Sequence, residues 1–373
     1  MLKKNIKFIS ANQLIYCALA SASITLISST SFAWGGRGHD SICQASVHLV
    51  KSEELKSFLK QRPHIMGHLC NVPDIYWKTL SGDARKHGDP THFVDPEIIG
   101  LKVESIPNSF EQLISKYTGT DYADKSAKKI QSLPIEFGSS WWRADQFVKL
   151  ATKSASEAKK ATPPNNRKEE QNSELPYNQS IYSMMVQMGL LGHFVADNGQ
   201  PFHTTADYDG YNANHGGIHS YYEEAVVSEF PEDLQALIVK EAKKMKQPKF
   251  IQGTDTVQKM KLLASESEKD ITTILKLDPI IKPSSLTLEK GMSLKKPAER
   301  KPAKEGYKKW NQLIVKQMAR SALLLANLWD QIYNEGNKPN LSDYKSYLHP
   351  FQPDFVMPDY YKIDTESTSK KSE

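Results

Sequence analysis

The sequence contains little of several features that would place it in a common class. Only three of its 373 residues are cysteine, and none has the paired spacing of a zinc–thiolate site. It has no glycine-rich phosphate loop, no Gly-x-Ser-x-Gly motif and no repeat of fixed period. Strand patterns are scarce as well. We therefore expect an all-α fold, a single mainly helical domain that collects its functional residues from several helices and loops.

Long apolar runs are also rare, and the one near the N-terminus has the features of a secretory signal. A basic start precedes an apolar core from Leu14 to Ile27, and Ser31-Phe32-Ala33 fits the small-x-small cleavage rule. A retained membrane anchor fits less well, because the run is short and interrupted by serines. We expect a signal at 1–33, a folded domain at 34–364 and a disordered tail at 365–373. The processed protein should be soluble and either secreted or periplasmic.

Neither sign of charge is in clear excess. The chain has 48 Lys and Arg against 43 Asp and Glu, and three of the lysines lie in the signal. The near balance that remains gives no support to broad electrostatic binding of nucleic acid. Cys17 also lies in the signal, which leaves Cys43 and Cys70. For an exported protein a disulfide between them and two separate buried thiols are both compatible with the sequence.

Histidines and carboxylates are concentrated in one short stretch after the centre of the chain. His193 and Asp197 are four residues apart, His219 and Glu223 are four apart, and His203 lies between the two pairs. Residues i and i+4 share one face of a helix, so each pair can direct an imidazole and a carboxylate to one point. One such pair is usually structural, but two pairs and a third histidine indicate a metal site. Imidazole nitrogen with carboxylate oxygen suits zinc.

Apolar periodicity and proline predict the local structure of this stretch. A buried helix should run from Ile181 to near Gly199 or Gln200, because Pro201 cannot lie in a helix interior. His203 should lie on the following turn and reach back toward the end of the helix. A new helix should begin at Ile218 and continue to about Val227.

The rest of the chain predicts further helices and two irregular regions. Helices are expected at Asp40–Leu59, Ser139–Ala151, Pro231–Lys246 and Tyr307–Asn334, and the third of these is expected to be exposed. The polar segment Thr162–Ser180 is expected to be a surface loop, and Lys282–Glu305 a mobile excursion.

Two residues at the predicted cleavage point are candidate ligands. Cleavage would place a free α-amino group on Trp34, five residues before His39. The amine, its neighbouring carbonyl and the imidazole could together hold a metal. A buried tryptophan and a histidine at a helix start explain this stretch equally well.

An acid and a histidine farther along are also candidates. Asp74 and His92 each lie beside a proline and apolar neighbours, and either alone is more often an ordinary loop residue. His87 and Asp89 compete for the same role. We prefer His92 because the apolar residues that follow it suggest a side chain directed inward.

Taken in order, these residues resemble the zinc-dependent phospholipase C and S1/P1 nuclease superfamily. The shared pattern is an N-terminal Trp, then His, Asp and His, then His-x3-Asp-x5-His, and finally His-x3-Glu or His-x3-Asp. In that superfamily three zinc ions lie in the cleft of an all-α domain. The resemblance implies one zinc held by Asp74, His92, His193 and Asp197, a second by His203, His219 and Glu223, and a third by the amine and carbonyl of Trp34, His39 and an oxygen of Asp197.

The two branches of the superfamily divide the pattern. Trp34-Gly-x-x-Gly-His39 is spaced as in the nucleases, whereas His219-Ser-Tyr-Tyr-Glu223 is similar to the phospholipases, in which Glu completes the second zinc site. The balanced charge also favours the phospholipases. The resemblance therefore implies a monomeric phospholipase C that releases diacylglycerol and a phosphorylated head group at a membrane surface. Asp74 would orient the attacking water or take its proton.

Two alternatives remain open at this point. The first is an S1/P1-type nuclease or 3′-nucleotidase that acts on single-stranded nucleic acid. The second is a secreted protein that binds metal without catalysis.

Overall fold

The helix at the centre of the fold, Pro176–Gly199, ends where the sequence predicts but begins before the predicted start at Ile181. Pro176 lies in its first turn, where a missing N–H leaves no hydrogen bond unmade. Pro201 begins a short 3-10 helix that follows it and contains His203. Every residue from Met188 to Gly199 is buried. The predicted buried helix and the turn after it are therefore confirmed.

The computed structural model describes residues 34–124, 128–289, 292–346 and 348–362, apart from the side chains of 288–289 and 292–293. The predicted signal at 1–33 and the predicted tail at 365–373 lie outside the described residues. The α-helices are α1 (Gly35–Leu49), α2 (Glu53–Lys60), α3 (Pro63–Ile75), α4 (Asp83–Gly88), α5 (Phe110–Tyr117), α6 (Leu133–Glu136), α7 (Ser140–Lys160), α8 (Arg167–Glu170), α9 (Pro176–Gly199), α10 (Ile218–Ser220), α11 (Val226–Ser228), α12 (Leu234–Ala242), α13 (Thr256–Glu268), α14 (Ile271–Leu277) and α15 (Ala303–Glu335).

Shorter elements connect these helices. The 3-10 helices are Trp77–Thr79, Asp89–His92, Pro96–Ile99, Val103–Ser105, Pro201–Thr204 and Lys249–Ile251. Residues Tyr221–Ala225 form a π-helix between α10 and α11. The strands are β1 (Ile280–Lys282), β2 (Ser285–Glu289), β3 (Met292–Lys296) and β4 (Glu299–Arg300). The fold is mainly α-helical, as predicted.

The long helices pack around α9. It contacts α7, α3 and α15, while α1 packs against α3, α12 and α15. Two glycines of α9 allow α1 and α3 to approach it closely: a Cβ at Gly189 would overlap Leu69 of α3, and one at Gly192 would overlap the sulfur of Cys43 on α1. Cys43 and Cys70 form a disulfide that joins α1 to α3. These contacts bring the next residue, His193, against both helices.

Two hydrophobic clusters fix the positions of α1 and α9. The larger includes Phe147, Phe194 and Trp329, and the smaller includes Trp34 and Trp310. Both α1 and α9 contribute residues to both clusters. Burial of one large apolar side chain stabilises a fold by about 1.5–3 kcal/mol. The two helices that carry several of the candidate ligands are therefore held from two sides.

Several predicted boundaries are wrong because distant residues decide them. The helix expected at Asp40–Leu59 is two helices, α1 and α2. The amides of Lys51 and Ser52 both donate to the carboxylate of Asp330 on α15, each at 2.8 Å, and this ends one helix and permits the next. The expected loop Thr162–Ser180 contains α8 and the first turn of α9.

Other predicted helices differ mainly in length or burial. The helix expected at Ser139–Ala151 continues to Lys160, and the one expected at Tyr307–Asn334 begins earlier, at Ala303. The helix expected at Pro231–Lys246 is shorter, and its residues Leu234, Ile238 and Ala242 are buried rather than exposed. No helix among the described residues combines the length and apolarity needed to cross a membrane.

The region expected to be a mobile excursion contains strands instead. β2 pairs with β3 in an antiparallel hairpin, and β1, before it in the chain, pairs antiparallel with β4, after it. The alternation Ser-Leu-Thr-Leu in β2 is too short to stand out in the sequence, and β1 and β4 pair across the whole hairpin.

Candidate metal centre

Five predicted ligands meet on the helical side of the centre. We call His39, Asp74, His92, His193 and Asp197 the helical half, because four of them lie on α1, α3 and α9. His39 Nε2 is 3.3 Å from Asp197 Oδ1, and His92 Nδ1 is 3.0 Å from Asp197 Oδ2. His193 Nε2 lies 2.9 Å from His92 Nδ1 and 3.7 Å from Asp74 Oδ1. All five side chains are buried.

Asp74 lies on a helix, although the sequence suggested a loop. It follows Pro73 in the last turn of α3. A proline there removes a single intrahelical hydrogen bond, which a helix tolerates near its end. His92 ends the 3-10 helix Asp89–His92 and faces α9.

The other three predicted ligands meet on shorter elements. We call His203, His219 and Glu223 the loop half. His203 lies on the 3-10 helix after α9, His219 on α10 and Glu223 in the π-helix. His219 Nε2 is 2.8 Å from Glu223 Oε2. The ring centroids of His203 and His219 are 4.9 Å apart. The single helix expected from Ile218 to about Val227 is divided into three short elements: α10, the π-helix Tyr221–Ala225 and α11.

Backbone carbonyls orient most of the histidines. Nδ1 of His193 lies 2.8 Å from the carbonyl of Cys70, Nδ1 of His203 lies 2.7 Å from that of His92, and Nδ1 of His219 lies 3.1 Å from that of Tyr208. A ring nitrogen facing a carbonyl must carry the proton, so Nε2 carries the lone pair. Each of these three rings therefore directs an electron pair into the centre, as metal-bound histidines do.

The atoms that face one another in the centre are nearly all acceptors. Nε2 of His39, Nε2 of His203 and Oδ1 of Asp197 are buried without a hydrogen-bond partner. Nε2 of His219 faces a carboxylate oxygen of Glu223. Buried polar groups normally have hydrogen-bond partners. A buried cluster of acceptor atoms without donors is stable only if a positive charge lies among them. Three groups of residues could each hold such a cation, because the ligand atoms within each group all lie within 4.8 Å of one another. The groups are His39, His193 and Asp197; Asp74, His92 and His193; and His203, His219 and Glu223.

The ionisation states of most ligands fit metal binding. The exception is His193, where burial alone would lower the pKa but the carboxylate of Asp197 raises it above its usual value. Burial lowers the pKa of both His92 and His219 to about 4, so both are neutral at pH 7. Burial alone would raise the pKa of Asp197, but the neighbouring His193 outweighs it and holds the pKa well below its usual range. Burial lowers the pKa of His39 and His203 as well. Neutral imidazoles and ionised carboxylates are the forms that bind metal.

Trp34 lies beside the loop half as well as the helical half. Its backbone nitrogen is 3.1 Å from Glu223 Oε2, and its indole donates to the carbonyl of Ala196 at 2.9 Å. It has φ 53°, in the left-handed region, and its side chain is fully buried. Five residues later α1 presents His39 to Asp197. The structure thus brings together all nine predicted ligands, and Trp34 contributes a backbone atom rather than its ring.

The competing residues lie elsewhere. His87 Nδ1 is 3.1 Å from the hydroxyl of Tyr361, and Asp89 pairs with Arg85 on the surface. The structure therefore directs only His92 of these three residues into the centre.

Lys78 is a residue of the centre that the sequence interpretation missed. Its ammonium is 2.5 Å from Asp74 Oδ1, one helical turn farther along the chain. Burial alone would raise the pKa of Asp74, but Lys78, followed by His193 and His92, lowers it to about 2. The spacing of four residues was a visible signal, since it is the same spacing that marks the two ligand pairs.

Gln200 is a second residue that was missed. Its amide donates to Glu223 Oε2 at 2.8 Å, and its carbonyl oxygen accepts from the backbone of Phe202. It thereby fixes Glu223 and caps the 3-10 helix that carries His203. Nothing in the sequence singles it out, because its two partners are brought together only by the fold.

The disulfide lies directly behind the helical half. The Cys70 sulfur is 3.9 Å from His39 Nδ1, and the Cys70 carbonyl orients His193. The disulfide covalently links α1 and α3 on this side of the centre. The two helices therefore cannot separate without moving His39 and His193.

Comparison with known proteins does not add to this picture. No family model matches the chain, and no curated protein matches it. The case for a metal centre therefore stands on the geometry: eight buried histidine and carboxylate side chains, contributed by seven separate elements, that can hold metal ions in three groups.

Proposed function

We propose that the protein is a zinc-dependent phosphoric ester hydrolase and, more specifically, a phospholipase C. The observation that carries the proposal is the convergence of three buried ligand groups without thiolates. Structural zinc sites are usually closed and rich in cysteine, whereas catalytic sites use histidine and carboxylate and leave a position open. The loop half offers only three side-chain ligands, which leaves such a position.

The residues that would hold zinc are those that the family resemblance implies, and each set shares at least two residues with one of the ligand groups. One ion would take Asp74, His92, His193 and Asp197; a second His203, His219 and Glu223; and a third His39, Asp197 and the freed amine and carbonyl of Trp34. When bound, zinc ions in such sites neutralise the phosphate, lower the pKa of a water and stabilise the leaving oxygen.

The residues of the chain have separate tasks in this proposal. Asp74 has both carboxylate oxygens within the centre, one toward His193 and the other toward His39. A carboxylate whose pKa is about 2 orients a water by accepting its hydrogen bond more readily than it keeps the proton. The ammonium of Lys78 supplies a cationic donor for a phosphate oxygen beside the same carboxylate. Asp197 holds His39, His92 and His193 in one arrangement.

A nuclease or 3′-nucleotidase is the second candidate, and one observation favours it. The ring of Tyr208 is 47% exposed and lies 5.7 Å from that of His219, so it offers a stacking surface beside the centre. Bases of single-stranded nucleic acid stack on such rings. The balanced charge of the chain weighs against this candidate.

A substrate panel at fixed zinc separates the candidates. The panel consists of phosphatidylcholine, phosphatidylglycerol, single-stranded DNA and RNA, and a nucleoside 3′-monophosphate. We expect release of the phosphorylated head group from at least one of the two lipids, and no comparable rate of cleavage of the nucleic acids or the nucleoside 3′-monophosphate. Preferred cleavage of nucleic acid would replace the phospholipase proposal with the nuclease. The absence of turnover on every substrate would leave a metal-binding protein without catalysis.

The place of action is also part of the proposal. A buried disulfide is typical of exported proteins, in agreement with the predicted signal. We propose a secreted or periplasmic monomer that contacts phospholipid transiently at a membrane surface.

A further inference from the structure

Exposed apolar side chains are concentrated on and beside the β2–β3 hairpin. Nine large apolar residues are prominently exposed among the described residues, and three of them are Ile281 at 58%, Leu286 at 44% and Leu294 at 47%. Single exposed apolar residues are normal on a soluble protein, but a group of them marks a contact surface. One third of the set within so short a segment is such a group.

The register of the hairpin shows that it does not cover these residues itself. Leu286 pairs with Lys295, and Leu294 pairs with Thr287. Residues directly opposite in an antiparallel pair lie on the same face, and the next pair lies on the other face. Leu286 and Leu294 are therefore on opposite faces, and both are exposed. A hairpin with an exposed leucine on each face does not pack onto the helices with either one.

The charge of the segment is strongly positive, unlike that of the whole chain. Residues 280–304 contain seven Lys or Arg and two Glu, with no Asp. Lys282, Lys295 and Lys296 are exposed near the leucines. The same residues include no Phe, Tyr or Trp. Nucleic-acid surfaces combine positive charge with aromatic rings for stacking, and protein interfaces are depleted of lysine. Leucine flanked by lysine suits the boundary of an anionic bilayer.

The base of the hairpin is fixed to the loop half of the metal centre. The Ser284 hydroxyl accepts from the Gly216 amide at 2.8 Å, and the Ser284 amide donates to the carbonyl of Asn214 at 3.2 Å. After β3, the Ala298 amide donates to the Gly216 carbonyl at 2.9 Å. Three residues after Gly216 the chain reaches His219. The base of the hairpin and the loop that leads to His219 therefore form one hydrogen-bonded unit.

A buried ionic group strengthens this unit. Arg300 donates to Asp278 at 2.9 Å and to the Gly216 carbonyl at 3.0 Å, and His215 lies 2.8 Å from the same aspartate. The side chain of Asp278 is fully buried. The segment that carries the hairpin is therefore linked by ionic and hydrogen bonds to the loop that precedes His219.

We propose that the β2–β3 hairpin docks the protein on anionic phospholipid bilayers, with Leu286 and Leu294 entering the interface and the lysines contacting lipid phosphates. This inference rests on the proposed phospholipase function, because docking would bring the metal centre to its substrate. Each lysine near an anionic surface changes binding on the order of fivefold. Burial of a leucine changes it by about tenfold or more.

Vesicle co-sedimentation tests the docking without reference to activity. The purified, zinc-loaded protein is mixed with vesicles of phosphatidylcholine that contain or lack phosphatidylglycerol. We expect binding to the phosphatidylglycerol vesicles that weakens with salt. The pair Leu286→Ser and Leu294→Ser should reduce binding at least tenfold. The pair Lys282→Gln and Lys296→Gln should reduce it at least fivefold and flatten its salt dependence.

Matched substitutions elsewhere serve as controls. Leu348→Ser changes a leucine of similar exposure, 48%, and Lys240→Gln with Lys316→Gln changes two exposed lysines. These controls should bind vesicles as the unchanged protein does. Circular dichroism and melting temperature show that each variant is folded. Equal binding by the hairpin variants and the controls overturns the inference, as does binding to single-stranded DNA but not to vesicles.

A soluble substrate separates this inference from the proposed function. Hydrolysis of dihexanoylphosphatidylcholine below its critical micelle concentration needs no bilayer. The hairpin variants should hydrolyse it at the rate of the unchanged protein while they lose vesicle binding. If the unchanged protein binds vesicles and cleaves no lipid, the phospholipase proposal fails and the docking stands. If it cleaves the soluble lipid and the hairpin variants still bind vesicles fully, the docking alone fails.

Discussion

The two halves of the metal centre are built in different ways. The helical half takes four of its five ligands from α1, α3 and α9, which two hydrophobic clusters and a disulfide hold in place. The loop half takes its three ligands from a 3-10 helix, a one-turn helix and a π-helix. The helical half is therefore preorganised by the core. The loop half depends on local hydrogen bonds, above all those of Gln200 and the hairpin base.

This difference predicts how each half responds to change. Removal of a ligand from the helical half should be severe and should not be relieved by added zinc. Loss of a supporting hydrogen bond in the loop half should be graded and should be relieved by added zinc. The predictions below test this contrast, beginning with the largest expected effect.

Replacement of a shared ligand should have the largest effect. His193 belongs to two of the ligand groups, and Asp197 contacts three histidines. We expect His193→Ala or Asp197→Ala to lower activity by more than about 100-fold, beyond the 10–100-fold typical of changes outside the ligand set. Activity at saturating zinc is the measurement. His349→Ala, His48→Ala and His64→Ala are the controls, and an equal loss in one of them would show that the ligand set is wrong.

An extra residue before Trp34 should have the next largest effect. It moves the α-amino group one residue along the chain, which is more than about 3 Å, while metal ligation tolerates about 0.2 Å. We expect one of the three zinc ions to be lost and activity to fall strongly, with the other two retained. Zinc content of forms that begin at Trp34 and at an added alanine decides this. Equal zinc content and equal rates of hydrolysis in the two forms would show that Trp34 packs in the core and is not a ligand.

Gln200→Leu should weaken the loop half alone. It removes the amide donor to Glu223 and the cap of the 3-10 helix that carries His203. We expect a 10–100-fold loss of affinity for one zinc ion, about the effect of removing an outer-shell partner. Excess zinc should restore the activity. Gln179→Leu, at an exposed position on α9, is the control. A loss that excess zinc does not relieve would contradict the contrast between the halves.

Asp278→Asn should have the smallest effect on the centre. It weakens the contacts of Asp278 with His215 and Arg300, but Arg300 still donates to the Gly216 carbonyl. We expect faster hydrogen exchange at residues 210–219 and less than about a tenfold change in zinc affinity. Exchange at the buried end of α9 should not change. Faster exchange there as well would show that the two halves are not separable.

Local spacing was sufficient to predict one part of the centre. The pairs His193 with Asp197 and His219 with Glu223 are visible because four residues make about one turn of helix. Pro201 also predicted where α9 ends. These features depend on neighbours in the sequence, so a single sequence can reveal them.

Long-range contacts explain what the sequence did not reveal. The break between α1 and α2 depends on Asp330, which is almost 280 positions away. The hairpin depends on the pairing of β1 with β4 and on Gly216. Trp34, Asp74 and His92 could be joined to the other ligands only through the family resemblance, because their spacing fixes no common face. Gln200 and Lys78 act through partners that the fold supplies.

Metal content is the most direct test of the centre itself. Elemental analysis after mild dialysis should find about three zinc ions per chain, one for each group of ligands. Chelation should remove them and lower the melting temperature, since binding to the folded state stabilises it. Asp197→Ala should lose more than one ion, because Asp197 belongs to two of the proposed zinc sites, whereas Gln200→Leu should lose one. Fewer than two tightly held ions in the unchanged protein would contradict the account.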